Sequence, residues 1–225
     1  MRNISKLPKE SNREFALRAI RQGIITLELK PGSMISEQDI ADELGLSRTP
    51  VHEAFQELAQ TKIIEILPQR GSRISLIDMS LVEEAVFFRS TLESAVTELA
   101  CASATDDDIR QLDDNINLQE FYLGKGNAEK IMSLDNSFHK YIYKMTNKMR
   151  CYSMIQLMNI HHDRVRELHL HTADISVIVE EHKRILEHFR AHDRTGIKEL
   201  IETHLKHLYL DEQELRKKYA EYFAG

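Results

Sequence analysis

The 225-residue sequence has only two cysteines, Cys101 and Cys151, and no tryptophan. Two thiols are too few for a disulfide framework or a thiolate zinc module, so both are read as buried or idle groups. No uncharged apolar run is long enough to span a bilayer, which excludes a helical membrane anchor. Met1 to Glu10 mixes charged and apolar residues without a hydrophobic segment, so no secretory signal is expected and the compartment is read as cytoplasmic. A glycine-rich phosphate loop, a serine nucleophile elbow and internal repeats are also missing. All four prolines, Pro8, Pro31, Pro50 and Pro68, lie in the first third. The chain beyond Pro68 is therefore free to be helical almost throughout.

Hydrophobic residues make up 42% and charged residues 29%, as in a globular protein with a sizeable core. The net charge of −6 argues at first against a nucleic-acid partner. The charge is not evenly spread, however: residues 1–77 sum to +1 and residues 78–225 to −7. Of eleven histidines, only His52 precedes residue 78. Two domains are expected, 1–77 and 78–225.

In the first domain Phe15, Ala19, Ile20, Ile24 and Leu27 follow helical spacing up to Pro31-Gly32. Ser36 opens a second helix as its cap, with Asp39 placed to complete a capping box, and Gly45 closes it. Ser47 caps a third, buried along Val51, Ala54, Phe55 and Leu58. Two short helices joined by Gly45-Leu46-Ser47 predict a helix-turn-helix. Ile63 to Leu67 and Arg73 to Ile77, around Pro68-Gln69-Arg70-Gly71-Ser72, predict a β-hairpin wing. Such a unit reads double-stranded DNA with the start of its second helix in the major groove. Arg48, Thr49 and His52 lie there, and Arg70 lies at the wing tip. The alternative from pattern alone is a helical scaffold with surface arginines.

Leu29-Lys30-Pro31-Gly32, Ser36-Glu37-Gln38-Asp39-Ile40-Ala41, Leu44 to Val51 and Arg70-Gly71, in this order and spacing, resemble the winged helix-turn-helix domain of GntR-family bacterial transcription regulators. The resemblance covers roughly residues 13–75. It implies that Ser47, Arg48, Thr49, the position of His52, Arg70 and Gly71 touch operator DNA. Two departures stand out: the family has arginine where this chain has His52, and many members have arginine at Gln38. Gln38 has the amide to pair with adenine. An operator differing from the family's common one is expected at the bases facing these two positions.

From Ser80 onward the apolar spacing is helical, with helices expected over Ser80 to Leu99, Asp106 to Leu123, Asn127 to Thr146, Met149 to His169, Asp174 to Arg190 and Thr195 to Tyr222. The fold class is therefore mainly α: a winged helix-turn-helix, then an all-α antiparallel bundle. Polar residues interrupt its apolar stripes. Asp135 and His139 are i, i+4 neighbours on the face of Ile131, Phe138 and Ile142. His182 lies among Ile178, Val179, Ile185, Leu186 and Phe189, and His204 among Ile197, Leu200, Ile201 and Leu208. The last two helices turn near Arg194, which brings His182 and His204 to similar heights. A carboxylate and three imidazoles directed inward form a metal-ligand set, whereas a single such histidine is more often a hydrogen-bonded core residue. His161, His162, His169, His171, His188, His192 and His207 show no such coherence and are read mostly as surface residues.

The same four positions resemble the metal-binding version of the FCD domain found in FadR-subfamily members of that family, over roughly residues 80–210. The resemblance implies a divalent ion, zinc, nickel or manganese, at the base of an effector cavity. Arg89 and Arg164 also fall within apolar stripes, and an inward guanidinium is best matched by a carboxylate. A small carboxylate effector, a sugar acid or hydroxy acid, is expected to bridge the metal and one of these arginines. The alternative is that Arg89 pairs with Glu93 or Glu84 and that Arg164 reaches solvent. Together these features read as a homodimeric, metal-dependent transcription regulator that acts as a repressor and is not an enzyme. The rivals are a metal-dependent hydrolase with Glu181 as general base, and a purely structural metal site.

Overall fold

The structure is a computed structural model and describes residues 4–170, 174–207 and 212–225. The chain forms two compact units. Met1–Val82, Leu157–Glu167 and Glu212–Gly225 make the first, and Glu83–Gln156 and Leu168–Asp211 the second. The sequence division near residue 77 is thus crossed twice by later segments that return to the first unit.

In the first unit α1 (Asn12–Ile25) starts at a full capping box, with Ser11 accepting from the Glu14 amide and Glu14 accepting from the Ser11 amide. Helix α2 (Glu37–Leu44) is capped by the Ser36 hydroxyl, which accepts from the amides of Gln38 and Asp39; the reciprocal Asp39 bond expected from sequence is not made. Gly45 ends α2 in the left-handed region at φ 66°. Helix α3 (Arg48–Gln60) comes next, with Ser47 at the N-cap position but its hydroxyl accepting no cap bond. Ala16, Ile20 and Ile24 of α1, Ile40 and Ala41 of α2, and Val51, Ala54, Phe55 and Leu58 of α3 close one core. Ile160 joins it from α8 (Ile160–His169).

The wing contains one strand more than the hairpin expected. Strands β1 (Met34–Ile35), β2 (Ile64–Leu67) and β3 (Gly71–Ile74) form an antiparallel sheet in the order β1-β3-β2. Ile64 pairs with Ile74 and Leu67 with Gly71, and Met34 pairs with Arg73 on the other edge. A two-residue strand is too short to show alternation, so β1 left no sequence signal. Beyond the sheet, Ile77 donates to the Tyr222 carbonyl at 2.8 Å and accepts from the Ala224 amide at 2.9 Å. The chain's last residues are thereby tied to the segment that leaves the wing.

The second unit is helical. Most of α4 (Met79–Ser103), then α5 (Asp106–Leu123), α6 (Ala128–Met145), α7 (Met149–Met158), α9 (Ser176–Ala191) and α10 (Ile197–His207) enclose a core that includes Val96, Leu112, Ile116, Phe138, Ile142, Ile155, Ile185, Phe189 and Ile201. The single helix expected over Met149 to His169 is two, broken at the buried Asn159. The one expected over Thr195 to Tyr222 is α10, α11 (Glu212–Lys218) and a 3-10 turn at Ala220–Tyr222, and residues 208–211 between them lie outside the described residues. Among the described residues no helix is long and apolar enough to cross a membrane.

Candidate functional site

Two places gather the side chains singled out in the sequence. The first is the outer face of the helix-turn-helix and wing, where Gln38, Ser47, Arg48, Thr49, His52, Arg70 and Gly71 are all exposed. Pro50, Val51, Ala54 and Phe55 turn inward, which leaves Arg48 and His52, four residues apart, on one outer strip of α3. Glu37, the first residue of α2, reaches both. One carboxylate oxygen accepts from Arg48 Nε and the other from His52 Nδ1, each at 2.8 Å. Burial alone would raise the Glu37 carboxyl, but His52 and Arg48 together hold it below the usual carboxylate range. The Gln38 amide donates to Asp42 at 2.8 Å, which leaves its oxygen and its second hydrogen for a base. At the wing, Gln69 and Gly71 adopt positive φ, 59° and 94°, and turn the tip so that Arg70 stands out from it.

The second place is the interior of the helical unit. Asp135, His139, His182 and His204 are all buried, and one ligand atom from each lies within 4.8 Å of the others. His204 Nε2 is 3.0 Å from His139 Nε2 and 3.2 Å from His182 Nε2. An Asp135 oxygen is 3.5 Å from Nε2 of both His139 and His182. The packing that holds them is helical: Asp135 and His139 sit one turn apart on α6, His182 stacks on Phe138 at 4.2 Å, and His204 comes from α10.

The far nitrogens decide what these rings present inward. His204 Nδ1 faces a Glu181 oxygen at 2.8 Å, and His139 Nδ1 faces Glu93. A carboxylate only accepts, so both nitrogens carry hydrogen. His182 Nδ1 faces Gln119 Oε1 at 2.8 Å, and a relay fixes that amide: Gln119 donates to Asn115 Oδ1 and Asn115 donates to the Leu134 carbonyl. All three rings thus keep Nε2 for the common centre.

Burial pushes His182 well below the ordinary imidazole range and also lowers His204. For His139 burial acts downward too, but Glu93 and Asp135 outweigh it and raise the ring. A single proton on His139 Nε2 can serve its contact with His204, yet it leaves the His182 and His204 lone pairs face to face. A cation satisfies all of them. Ligand distances of about 2.0–2.1 Å place two nitrogens on one ion about 2.8–3.4 Å apart, which the observed separations match. The residues fit a divalent metal, and outer partners that fix the tautomer are what such ligands require.

Arg89 is buried and donates from Nε to Glu93 at 3.0 Å, while Glu93 holds His139 with its other oxygen. Burial pushes the Glu93 carboxyl up, but His139 and Arg89 prevail and hold it at about 2. Arg89 is therefore linked to the cluster through the Glu93 pairing that the sequence left open. Arg164 is not. It lies in the first unit, fully buried, and donates to the carbonyls of Ser75 at 2.7 Å and Leu76 at 3.4 Å and to His161 Nδ1 at 2.7 Å. Its guanidinium serves backbone carbonyls there, in place of the effector role or the solvent exposure expected.

Glu93 and Gln119 were missed as partners of the cluster; their only sequence signal is that each interrupts an apolar stripe. Glu181 is engaged with His204, a different position from that of a free general base. His161, His162 and His169 are buried, contrary to the surface reading, and His171 and the His207 side chain lie outside the described residues.

Comparison with known proteins matches a family profile to each of the two parts of the chain. Residues 12–74 match the profile of bacterial regulatory proteins of the gntR family, and residues 84–207 match the FCD domain. The HTH-type transcriptional repressor RspR of Escherichia coli (strain K12) is 25% identical over 218 residues, 96% of each chain. An HTH-type transcriptional regulator from an unstable DNA locus of Streptomyces ambofaciens is 30% identical over 217 residues, 95% of this chain and 90% of its own. The structure of Escherichia coli McbR/YncC superposes with a TM-score of 0.77 at 20% identity, over 94% of this chain and 99% of that one, a likeness of fold.

Proposed function

The chain belongs to the gntR family of bacterial regulatory proteins, with an FCD domain after its DNA-binding domain, and from that premise we propose that it is a cytoplasmic, homodimeric repressor whose hold on operator DNA is set by a metal-bound carboxylate. Each subunit's α3 reads half of a pseudo-palindromic operator through Arg48, Thr49 and His52, with Ser47, Arg70 and Gly71 on the backbone. Asp135, His139, His182 and His204 hold a divalent ion, zinc, nickel or manganese. When bound, that ion supplies a Lewis acid to which a sugar acid or hydroxy acid can coordinate. Glu93, Gln119 and Glu181 keep the three imidazoles in the ligating tautomer. Arg89 offers a buried guanidinium to the carboxylate and exchanges part of its pairing with Glu93 for it. The ligand changes DNA affinity by linkage, because it binds one state of the dimer better than the other.

The observation that supports this most is that three Nε2 lone pairs and one carboxylate are directed at one buried point. Calorimetry with a panel of sugar and hydroxy acids, on metal-loaded wild type and Arg89→Ala, tests it. Binding by the wild type that weakens in the variant supports the effector role; equal binding by both removes Arg89 from the site. The complete burial of the four ligands also suits a second reading, an ion that only staples the bundle. Chelation separates the two: global unfolding favours the staple, and loss of acid binding with the helices intact favours the sensor.

A further inference from the structure

Glu37, Arg48 and His52 form a triad on the DNA-reading face whose joint role the proposed function leaves open. The Glu37 side chain is only 15% exposed, while those of Arg48 and His52 are 69% and 52% exposed. The inner carboxylate therefore holds two outer side chains, taking Arg48 by Nε and His52 by Nδ1. Arg48 is left with its two terminal nitrogens, both donors. His52 is left with Nε2.

Because a carboxylate only accepts, His52 Nδ1 carries the hydrogen and a neutral ring offers Nε2 as a lone pair. An acceptor in the major groove selects a base that donates there, N4 of cytosine or N6 of adenine. An arginine at the same place can only donate and selects the O6 and N7 acceptors of guanine. We propose that Glu37 is a specificity-determining positioning residue that locks the His52 tautomer, so that His52 reads an amino base, cytosine or adenine, where an arginine would read guanine. This rests on the proposed reading of DNA by α3.

The lock makes Glu37→Gln informative, although Glu37 itself need not touch DNA. Arg48 Nε can only donate, so the new amide must turn its oxygen to Arg48 and its NH2 to His52. His52 Nδ1 then accepts, its hydrogen moves to Nε2, and the ring becomes a donor toward the groove.

The experiment is selection from a random duplex library with the full chain at pH 8. It is run on wild type, His52→Ala, His52→Arg and Glu37→Gln. The base pair facing His52 is the one whose preference disappears in His52→Ala. There, on one strand as oriented by the rest of the half-site, wild type is expected to favour cytosine or adenine by roughly fivefold or more, and both His52→Arg and Glu37→Gln to invert or replace the pair so that guanine stands on that strand. Guanine selected by wild type overturns the proposal. So does a preference for cytosine or adenine over guanine retained in Glu37→Gln, or no position that responds to His52→Ala. If no chain selects any sequence, the reading of DNA by α3 fails as well, which tells the two failures apart. Should Glu37→Gln unfold by circular dichroism, wild type compared with His52→Ala and His52→Arg still decides whether His52 reads an amino base.

Discussion

His182 Nε2 lies 3.2 Å from His204 Nε2, and each ring has its other nitrogen engaged by an acceptor, Gln119 Oε1 for His182 and Glu181 for His204. Two buried lone pairs so close are tolerated only if something positive comes between them. The chain freed of metal by chelation should therefore be less stable than the same chain refilled with zinc, nickel or manganese. An ion at about 100 times its dissociation constant should raise the melting temperature by roughly 5–10 °C, read by circular dichroism. An unchanged melting temperature with all three ions would contradict a cation between these rings.

Arg164 tests a different kind of buried charge. Its guanidinium satisfies the carbonyls of Ser75 and Leu76, just beyond β3. Arg164→Ala should lower stability by about 3 kcal/mol, because carbonyls held by a charged donor lose it inside the protein. Arg164→Lys should recover only part, since an ammonium lacks the planar fork. Urea unfolding of the three chains measures this. A loss under about 1 kcal/mol in Arg164→Ala would show that water replaces the guanidinium there.

His161, which accepts from Arg164, gives stability a pH dependence. Burial, reinforced by Arg164, pushes the ring down to about 3. In the unfolded chain a histidine binds its proton near pH 6.5, whereas the folded ring stays neutral far below that. The unfolded state therefore gains protons first, and stability falls as pH drops from about 6.5 toward 3. Between pH 7 and pH 5 the wild type should lose about 2 kcal/mol more than His161→Gln, which keeps an acceptor for Arg164 but does not titrate. Equal losses in paired urea titrations at the two pH values would exclude a neutral buried His161.

At the wing tip, Arg70 stands exposed between Gln69 and Gly71. Arg70→Ala should weaken binding to all DNA sequences alike and lower the slope of log affinity against log salt by about 0.9, one phosphate contact. Fluorescence anisotropy over a salt series reads both. A change confined to one base pair would instead make Arg70 a base reader.

How much of the fold and the two sites could be read from the sequence depended on distance along the chain. The helix-turn-helix was legible because its caps, turn and buried stripes are local: Ser36, Gly45 and Ser47 punctuate it within a dozen residues. Asp135 and His139 declared themselves by a one-turn spacing, and His182 and His204 by similar distances from the turn near Arg194. Glu93 and Gln119 did not, because each meets its histidine from another helix, and nothing local says which stripe a polar interruption will face. Arg164 shows the same limit. Its apolar neighbours made an inward guanidinium one of two readings, beside solvent, and did not say that the carbonyls of Ser75 and Leu76 would be waiting. The break at Asn159 was hidden because the apolar period runs on across it, and β1 because two residues carry no period.

The most direct test of a metal-controlled regulator is the metal content of the purified full chain, measured by inductively coupled plasma mass spectrometry after chelation, refilling with zinc, nickel or manganese, and desalting. Wild type should hold one divalent ion per chain and His204→Ala close to none, with the variant still helical by circular dichroism. Wild type that holds no more than the chelated chain, or His204→Ala that holds as much as wild type, would contradict a metal centre at Asp135, His139, His182 and His204.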